Sequence, residues 1–161
     1  MIIRKAGESD IISIHELDRE STKYHEKFDA DFYDISEKWW KEKKLSQLSA
    51  VRSKRNAIFV AEEKGRIEGY VWGFIEKLGK YKIGKIQELS VSSRSRKRGT
   101  GTKLIEKIVD FFRKNGCIIC ETMTDARNKP AINLYEKSGF EKVGYRMWLK
   151  IDSKRRFRPF Y

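Results

Sequence analysis

The chain has 161 residues, of which 39% are hydrophobic and 12% aromatic. These values fit one globular domain with a core of its own and exclude an intrinsically disordered chain. No stretch approaches the roughly 20 apolar residues of a membrane span, and the N-terminal sequence MIIRKAGESD turns polar too soon for a signal peptide. We therefore expect a single domain over residues 1–161, located in the cytoplasm.

The net charge is +13, from 36 basic and 23 acidic residues, which suggests a polyanionic partner. The charge is uneven, because residues 8–37 hold ten acidic and three basic residues and so carry −7. The rest of the chain therefore carries +20. A protein that only coats nucleic acid gains little from so acidic a region.

The first part of the chain predicts a strand and two helices. IIRKA is typical of a short strand, and Ser9 is a candidate N-cap for a helix with apolar residues at helical spacing that ends near residue 22. Residues 23–35 mix acids and aromatics without a clear period, which predicts a loop. Ser36 is expected to cap a second helix that continues to Val51.

The middle of the chain predicts a hairpin, a third strand and a helix. In AIFVAEEKGRIEGYVWGFIEK, β-branched and aromatic runs flank Lys64-Gly65, where the glycine supplies the positive φ of a tight turn. KIGKIQELSVS predicts the next strand. From Leu104 the apolar residues follow one helical stripe, and Gly116 is placed to end that helix.

The last part predicts a strand, CIICETM, a helix, NKPAINLYEKSGF, a closing strand, EKVGYRMWLKI, and a basic aromatic tail over 152–161. The order β-α-α-β-β-β-α-β-α-β indicates one α/β (α+β) domain with a central mixed, mostly antiparallel sheet flanked by helices. Cys117 and Cys120 have a C-x-x-C spacing that permits redox or metal chemistry. Because Ile118 and Ile119 predict a buried strand, we interpret both cysteines as small hydrophobes and expect no metal site.

A basic turn, RSRKRGTGTK at 94–103, holds five positive charges and two glycines but no acid. A strand that runs into a glycine turn and then a helix builds an anion site, since backbone N–H groups converge there and the helix N-terminus adds roughly half a positive charge. We expect Gly99 and Gly101 to let a phosphate approach the backbone. The alternative is a solvated charge run.

Two motifs carry a resemblance to a known family. RKRGTG at 96–101 resembles the R/Q-x-x-G-x-G/A loop that binds the pyrophosphate of acetyl-CoA in the GNAT superfamily of N-acetyltransferases, and NKPAINLYEKSGF at 128–140 resembles that family's N-x-x-A-x-x-L-Y-x-x-x-G-F helix. The order of elements is similar over nearly the whole chain. The resemblance implies a GNAT-like domain that transfers an acetyl group from acetyl-CoA to a primary amine by direct attack, releases CoA and uses no metal.

The resemblance also implies which residues bind the cofactor. Backbone N–H groups near Leu89 and Val91, on a strand splayed after residue 90, would hold the pantetheine arm and polarise the thioester carbonyl. The full set of cofactor residues is Leu89, Ser90, Val91, Arg96, Lys97, Arg98, Gly99, Thr100, Gly101, Thr102, Asn128, Ala131 and Tyr135.

Two residues are the candidates for proton transfer. Glu88 is the candidate base, directly or through water, and it alternates with Leu89 so that the two face opposite sides of the sheet. The alternative is a surface or salt-bridged glutamate. The resemblance implies that the Tyr135 hydroxyl donates a proton to the leaving thiolate, whereas helical spacing alone predicts a core aromatic.

The acceptor is expected to be a cationic amine, of a small molecule or a peptide. Family members place the first two helices and their connecting loop over the acceptor cleft, which is the acidic segment here. The residues that we expect to line it are Phe28, Asp29, Asp31, Tyr33 and Asp34. The alternative is a solvated acidic face with the aromatics in the core.

Other functions stay open at this point. The basic loop and the tail KRRFRPFY would suit a nucleic-acid-binding module, and the motifs would also suit an acyl-CoA-binding module without catalysis. For the tail itself we favour a surface strand extension or a contact in a possible homodimer.

Overall fold

The structure is a computed structural model, and it describes residues 1–28, 36–145 and 147. Within these residues it contains five strands and four α-helices. They are β1 (Ile2–Lys5), α1 (Ile11–Glu26), α2 (Glu37–Arg52), β2 (Asn56–Glu63), β3 (Arg66–Leu78), β4 (Tyr81–Val91), α3 (Thr100–Lys114), β5 (Ile119–Thr122) and α4 (Lys129–Lys137). None of the helices in this part of the chain has the length and apolar character that a membrane crossing needs.

The strands form one sheet in the order β1-β2-β3-β4-β5. Every neighbouring pair is antiparallel except β4 and β5, which are parallel and joined through α3. This confirms the predicted mixed, mostly antiparallel sheet. The β2–β3 turn is also as predicted, with φ of 52° at Lys64 and 75° at Gly65, the paired positive values of a two-residue hairpin turn.

Helices cover both faces of the sheet. Tyr70 of β3 packs with apolar residues of α1 and α2, whereas the next residue, Val71, packs with those of α3. This alternation follows from the two-residue period of a strand. The domain therefore has three layers with the sheet in the middle, and the side chains of adjacent strand residues pack against helices on opposite faces.

Helix α3 lies close to the sheet because two glycines make room for one ring. A β-carbon on Gly84 of β4 would lie 2.3 Å from Phe112, and one on Gly73 of β3 would lie 2.6 Å from the same ring. Phe112 is 2% exposed, so the ring has little freedom to move away. The two glycines thereby set the depth of α3 and with it the position of its N-terminus.

Several predicted boundaries were wrong. Helix α1 extends to Glu26 rather than to residue 22, and its last turn is held by contacts with distant loops that are described below. Ser9 is not its N-cap, because residues 8–10 form a 3₁₀ turn in which Asp10 accepts from the backbone of Gly7 at 2.8 Å. Helix α3 begins at Thr100, four residues before the predicted start.

The C-terminal prediction was also wrong in part. Residues 141–145 form no strand, and the side chains of Val143 and Tyr145 are 96% and 99% exposed, so they do not pack on the sheet. The rest of the predicted closing strand, except Met147, and the basic tail lie outside the described residues. The Ser36 cap of α2 is confirmed, since its hydroxyl accepts from the backbone of Trp39 at 3.3 Å.

We predict that Gly84→Ala destabilises the domain, because the new methyl group would overlap Phe112. The free energy of unfolding should fall by about 1–3 kcal/mol, the usual cost of overpacking a core. Denaturant unfolding measures this, with Gly144→Ala as the matched control, since a β-carbon there meets nothing within 4 Å. Equal stability of the two variants would show that Phe112 does not fix the depth of α3.

Candidate functional site

Strands β4 and β5 part halfway along β4. Strand β4 pairs with β3 from Tyr81 to Val91, but it pairs with β5 only from Ile83 to Ile86. Gln87 is an extra residue in the β3–β4 ladder, directly after the last β4–β5 pair. Such a bulge bends its strand and increases its twist. In the described part of the chain, residues 87–91 consequently have no strand partner on the β5 side.

Tyr135 lies at the point where the two strands part. Thr122 is the last residue of β5 and pairs with Ile86. The Tyr135 hydroxyl is hydrogen-bonded to the Thr122 side chain, and burial raises its pKa while this hydrogen bond lowers it. The ring packs edge-on against Phe140, with centroids 5.3 Å apart. Tyr135 is therefore a core aromatic, as spacing predicts, whose hydroxyl lies near the end of the gap.

Asn128 and Ala131 connect α4 to its surroundings. The Asn128 side-chain oxygen caps α4 by accepting from the backbone of Ala131 at 3.4 Å. Its amide nitrogen lies 3.3 Å from Nε2 of His25 on α1, and Nδ1 of that ring donates to the Ser21 carbonyl at 2.8 Å. These side-chain contacts are structural. Contact of Asn128 or Ala131 with a cofactor stays a prediction.

The basic turn leads into α3 through two residues with positive φ. Lys97 has φ of 59°, and Gly99, the N-cap of α3, has φ of 77°. Gly99 has no side chain to cap the helix, so the first-turn N–H groups of α3, from Thr100 to Thr102, point out of its end without a helical partner. A β-carbon on Gly99 would meet no atom within 4 Å. The backbone here is open to a ligand.

Gly101 also lies against α4. A β-carbon at this position would lie 2.8 Å from Cδ2 of Leu134, so the glycine permits the close packing of α3 against α4. Approach of a phosphate to its backbone stays a prediction. Thr100 is likewise structural through its side chain, whose hydroxyl is buried and donates to the Ser95 carbonyl at 3.2 Å.

Glu68 holds the basic turn through side-chain hydrogen bonds, and it was not among the residues predicted from the sequence. Its buried Oε2 accepts from Ser92 at 2.7 Å, from Ser95 at 2.8 Å and from Arg94 at 2.9 Å. Burial raises the pKa of this carboxyl, but the three hydrogen bonds outweigh it and lower the pKa to about 2. The sequence signal that could have indicated a role for Glu68 was an acidic residue within the apolar run of β3.

The arginines of the turn have protein partners of their own. Arg98 is paired with Glu63 at 3.1 Å, and Nε of Arg96 donates to the Val91 carbonyl at 3.2 Å while its guanidinium lies 5.3 Å from the Tyr24 ring. The side chain of Lys97 is exposed. Part of the positive charge of the turn is thus neutralised within the domain.

The end of α1 contacts the loops on both sides of the gap. Glu20 accepts from the backbone of Ser93 at 2.9 Å, next to the basic turn. Arg127, before α4, donates to the Phe28 carbonyl and lies 5.5 Å from the Phe28 ring. Of the expected acceptor residues only Phe28 is described. The other four, Asp29, Asp31, Tyr33 and Asp34, lie outside the described residues.

Glu88 lies on the opposite face of the sheet from Leu89, as predicted, in a buried polar cluster. Its carboxylate is 2.6 Å from Nζ of Lys43 and accepts from the Tyr70 hydroxyl at 2.6 Å. Lys43 is also 3.1 Å from Asp18, whose carboxylate accepts from Gln47 at 2.5 Å and from Tyr70. The candidate base is therefore a salt-bridged glutamate, but a largely buried one, with its side chain 23% exposed.

The cluster holds two carboxylates and one ammonium group. Burial raises the pKa of Glu88, the negative charge of Asp18 raises it further, and Lys43 and the Tyr70 hydrogen bond act in the opposite direction. The net pKa is raised, which suits a group that takes a proton near neutral pH. Sequence analysis missed Asp18, Lys43 and Tyr70, although Lys43 shares the buried face of α2 with Trp40, Gln47 and Ala50 at helical spacing.

The cysteines show no sign of metal or redox chemistry in the described residues. Both are free thiols, and burial raises the pKa of Cys120 to about 12, so that it stays protonated. No cluster of three or more potential metal-ligating side chains occurs within 1–28, 36–145 and 147. The predicted burial of Ile118 and Ile119 is wrong, since they are 60% and 52% exposed at the edge of the sheet that the structure describes.

Comparison with known proteins gives a family match over most of the chain. The model of the acetyltransferase (GNAT) family matches residues 11–140. An N-alpha-acetyltransferase of Sulfurisphaera tokodaii is 35% identical over 97 residues, which are 54% of this chain and 58% of that protein. An uncharacterized N-acetyltransferase of Methanocaldococcus jannaschii is 34% identical over 100 residues, 60% of this chain and 44% of the relative. The chain spans about half the length of these curated relatives.

Solved structures share the fold. A mutant protein from Bacillus halodurans superposes with a TM-score of 0.83 at 22% identity, over 94% of this chain and 99% of the other. The aminoglycoside N-acetyltransferase AAC(6')-Iy, solved with a CoA-linked bisubstrate analogue, gives 0.74 at 15% identity, over 94% and 97%. At these identities the likeness shows the fold alone.

We predict that Glu68→Gln loosens the basic turn and changes the response to acid. The variant should lose about 1–3 kcal/mol of stability at neutral pH, since it replaces charged hydrogen bonds. A carboxylate whose folded pKa, about 2, lies below its ordinary 4.5 contributes stability above the ordinary value and loses it as the pH falls toward the folded one. The stability difference between wild type and variant should therefore narrow between about pH 5 and pH 3.

Denaturant unfolding at several pH values measures this difference. Glu106→Gln, which removes an exposed carboxylate of α3, is the control and should follow the wild type. If the free energies of unfolding of the wild type and Glu68→Gln differ by the same amount at every pH, Glu68 is not the ionised carboxylate that we describe.

Proposed function

The chain belongs to the GNAT family of acetyltransferases, and we propose that it transfers the acetyl group of acetyl-CoA to a primary amine by direct attack on the thioester. One observation carries the proposal. The unpaired part of β4 carries Glu88, follows Ile86, which packs in one core cluster with Tyr135, and leads through the basic turn into the uncapped N-terminus of α3.

The residues of the basic turn fit the phosphates of CoA. We propose that the N–H groups from Gly99 to Thr102 bind them, with Arg96, Lys97 and Arg98 supplying the positive field. The fit rests on the open space at the Gly99 β-carbon position and on its φ of 77°, which favours a residue without a side chain. The N–H groups of Leu89 and Val91, which point to the unpaired edge of β4, would contact the pantetheine arm, with Ser90 between them.

Acetyl-CoA, when bound, supplies an activated thioester. Glu88 takes a proton from the acceptor amine, directly or through a water molecule, because an ammonium ion has no lone pair with which to attack. The N–H groups near Leu89 and Val91 stabilise the negative charge that develops on the carbonyl oxygen. Tyr135 donates a proton to the thiolate as it leaves, and its hydroxyl is held for this by Thr122.

The proposed acceptor is a cationic amine. Residues 8–37 carry −7, and the buried cluster to which Asp18 of this segment belongs holds two carboxylates against one lysine, so the negative charge favours a positive ligand. Among the proteins that this chain resembles, one is named for N-alpha-acetyl transfer and one was solved with an acetylneamine analogue. A screen of N-terminal peptides, polyamines and aminoglycosides, with thiol release from acetyl-CoA as readout, tests the reaction and the acceptor class. If no amine causes thiol release, the result would support the alternative that the chain is an acyl-CoA-binding module without catalysis.

A nucleic-acid-binding role has less support. Arg94 and Arg98 of the basic turn are committed to Glu68 and Glu63. They are therefore less available to a nucleic acid backbone than the sequence suggests.

We predict that Gly99→Val weakens CoA binding at least about tenfold, because a β-branched residue does not adopt φ of 77° and its side chain would project into the phosphate site. Isothermal titration with CoA measures this, and binding should also weaken as salt is raised. Gly116→Val is the matched control, since it imposes the same strain at φ of 77° after the opposite end of α3, where a β-carbon also meets nothing within 4 Å. Equal CoA affinity in the two variants would place the phosphates elsewhere.

We predict that Tyr135→Phe lowers kcat about tenfold or more while CoA binding and the melting temperature change little. The ring and its packing on Phe140 are retained, and only the proton that the thiolate would receive is lost. Tyr81→Phe, at the far end of β4, is the control for loss of a tyrosine hydroxyl. Full activity in Tyr135→Phe would show that this residue contributes packing and no proton.

A further inference from the structure

The cluster around Glu88 draws one charged or polar group from each of four elements. Asp18 comes from α1, Lys43 from α2, Tyr70 from β3 and Glu88 from β4. Asp18 and Tyr70 are 3% and 0% exposed. Buried charges are costly unless they are paired, so a cluster of this kind is held together by its own complementarity.

Lys43 is the group that offsets the two carboxylates. Its Nζ lies 2.6 Å from Glu88 and 3.1 Å from Asp18, and its side chain is only 10% exposed. Its positive charge favours the ionised form of Glu88. Without it, Glu88 would face the negative charge of Asp18 with no cation beside it and would take up a proton at higher pH.

Tyr70 couples the two carboxylates directly. Its hydroxyl oxygen is within hydrogen-bond range of both Asp18 and Glu88, but it has one proton to donate. The hydroxyl therefore donates to only one of the two carboxylates at a time, so that they compete for the same proton. Burial raises the pKa of Tyr70 well above its ordinary value, so the tyrosine itself stays neutral.

We infer that Lys43 and Asp18 are positioning residues that hold the Glu88 carboxylate in place and set the pH at which it can accept a proton. They act in opposite directions, because Lys43 favours the ionised form of Glu88 and Asp18 opposes it. The inference rests on the proposed role of Glu88 as the base.

No other titratable group of the described chain faces Glu88 from the elements packed against it. His15 of α1 is within the electrostatic reach of Asp18 and Lys43, but burial lowers its pKa, and the charge of Arg19 lowers it further. It is therefore neutral near pH 7. Gln47 of α2 is uncharged and binds Asp18. The charge balance at Glu88 is thus set by one lysine and one aspartate.

A titration of the unliganded protein tests the inference without any need for activity. The side-chain carboxyl carbons of glutamate are labelled with ¹³C and followed by NMR as the pH is changed, and Glu88 is assigned by the signal that is lost in Glu88→Gln. We expect Lys43→Met to move the Glu88 transition to higher pH by about one pH unit or more and Asp18→Asn to move it to lower pH. Lys43→Arg should keep the transition close to that of the wild type.

The control is Lys41→Met, which removes a positive charge from the exposed side of the same helix and should leave the transition in place. The double variant Asp18→Asn/Lys43→Met should return the transition toward the wild-type position, because it removes the neighbouring anion together with the cation. If Lys43→Met does not fold, the comparison of Asp18→Asn with the double variant still isolates the effect of Lys43. Single variants that move the transition in the same direction, or not at all, would overturn the inference.

The same variants then separate this inference from the proposed function. The acid limb of kcat/KM against pH should move with the NMR transition, upward in Lys43→Met and downward in Asp18→Asn. An NMR transition that moves while the acid limb stays fixed would overturn the link to catalysis and show that Glu88 is not the base. Absence of acetyl transfer by the wild type would contradict the proposed function alone, because the apoprotein titration does not depend on it.

Discussion

The site depends on the way in which β4 is shared between its two neighbours. Strand β4 is paired with β3 to its end, while β5 accompanies it only as far as Ile86. The bulge at Gln87 comes directly after that pair. A strand cannot bend away from one neighbour without leaving backbone groups unpaired, and unpaired groups are available to a ligand. The gap is thus a consequence of sheet geometry, with Glu88 and Tyr135 near its start.

Three buried carboxylates organise the surroundings of this gap. Glu68 holds the basic turn that leads into α3, while Asp18 and Glu88 connect α1, α2 and the sheet through Lys43 and Tyr70. Burial of an ionised carboxylate is unfavourable unless hydrogen bonds or a counter-charge replace water. Each of these acids therefore fixes the groups around it, and the positions of the loops follow from local polar contacts as much as from the apolar core.

Sequence predicted the elements whose signals are local. The hairpin at Lys64 and Gly65 and the cap at Ser36 depend on a few adjacent residues, and both are present. Elements whose limits depend on distant contacts were predicted less well. The last turn of α1 contacts Arg96 through Tyr24 and Asn128 through His25, and these partners lie about seventy and one hundred residues further along the chain. No pattern within residues 20–28 contains that information.

In the candidate site, too, residues with a local sequence signal were predicted, and residues that depend on distant contacts were not. Glu88 and Tyr135 were predicted from strand alternation and from a family motif, and their roles in catalysis stay predictions. Asp18 and Lys43 were missed, since a polar residue on the buried face of a helix looks like an exception until its partner on another element is known. The packing of Gly101 against Leu134 of α4 was also missed, because sequence does not show which element lies against a glycine.

The central claim is that the gap between β4 and β5 takes the pantetheine arm of CoA while the start of α3 takes its phosphates. A titration of the ¹⁵N-labelled chain with CoA, followed by amide chemical shifts, tests it most directly. The account predicts shifts at Leu89, Ser90 and Val91 together with those from Gly99 to Thr102, while the turn at Gly79 and Lys80, at the opposite end of β4, stays unchanged. Shifts confined to the basic turn, with residues 89–91 unaffected, would contradict it.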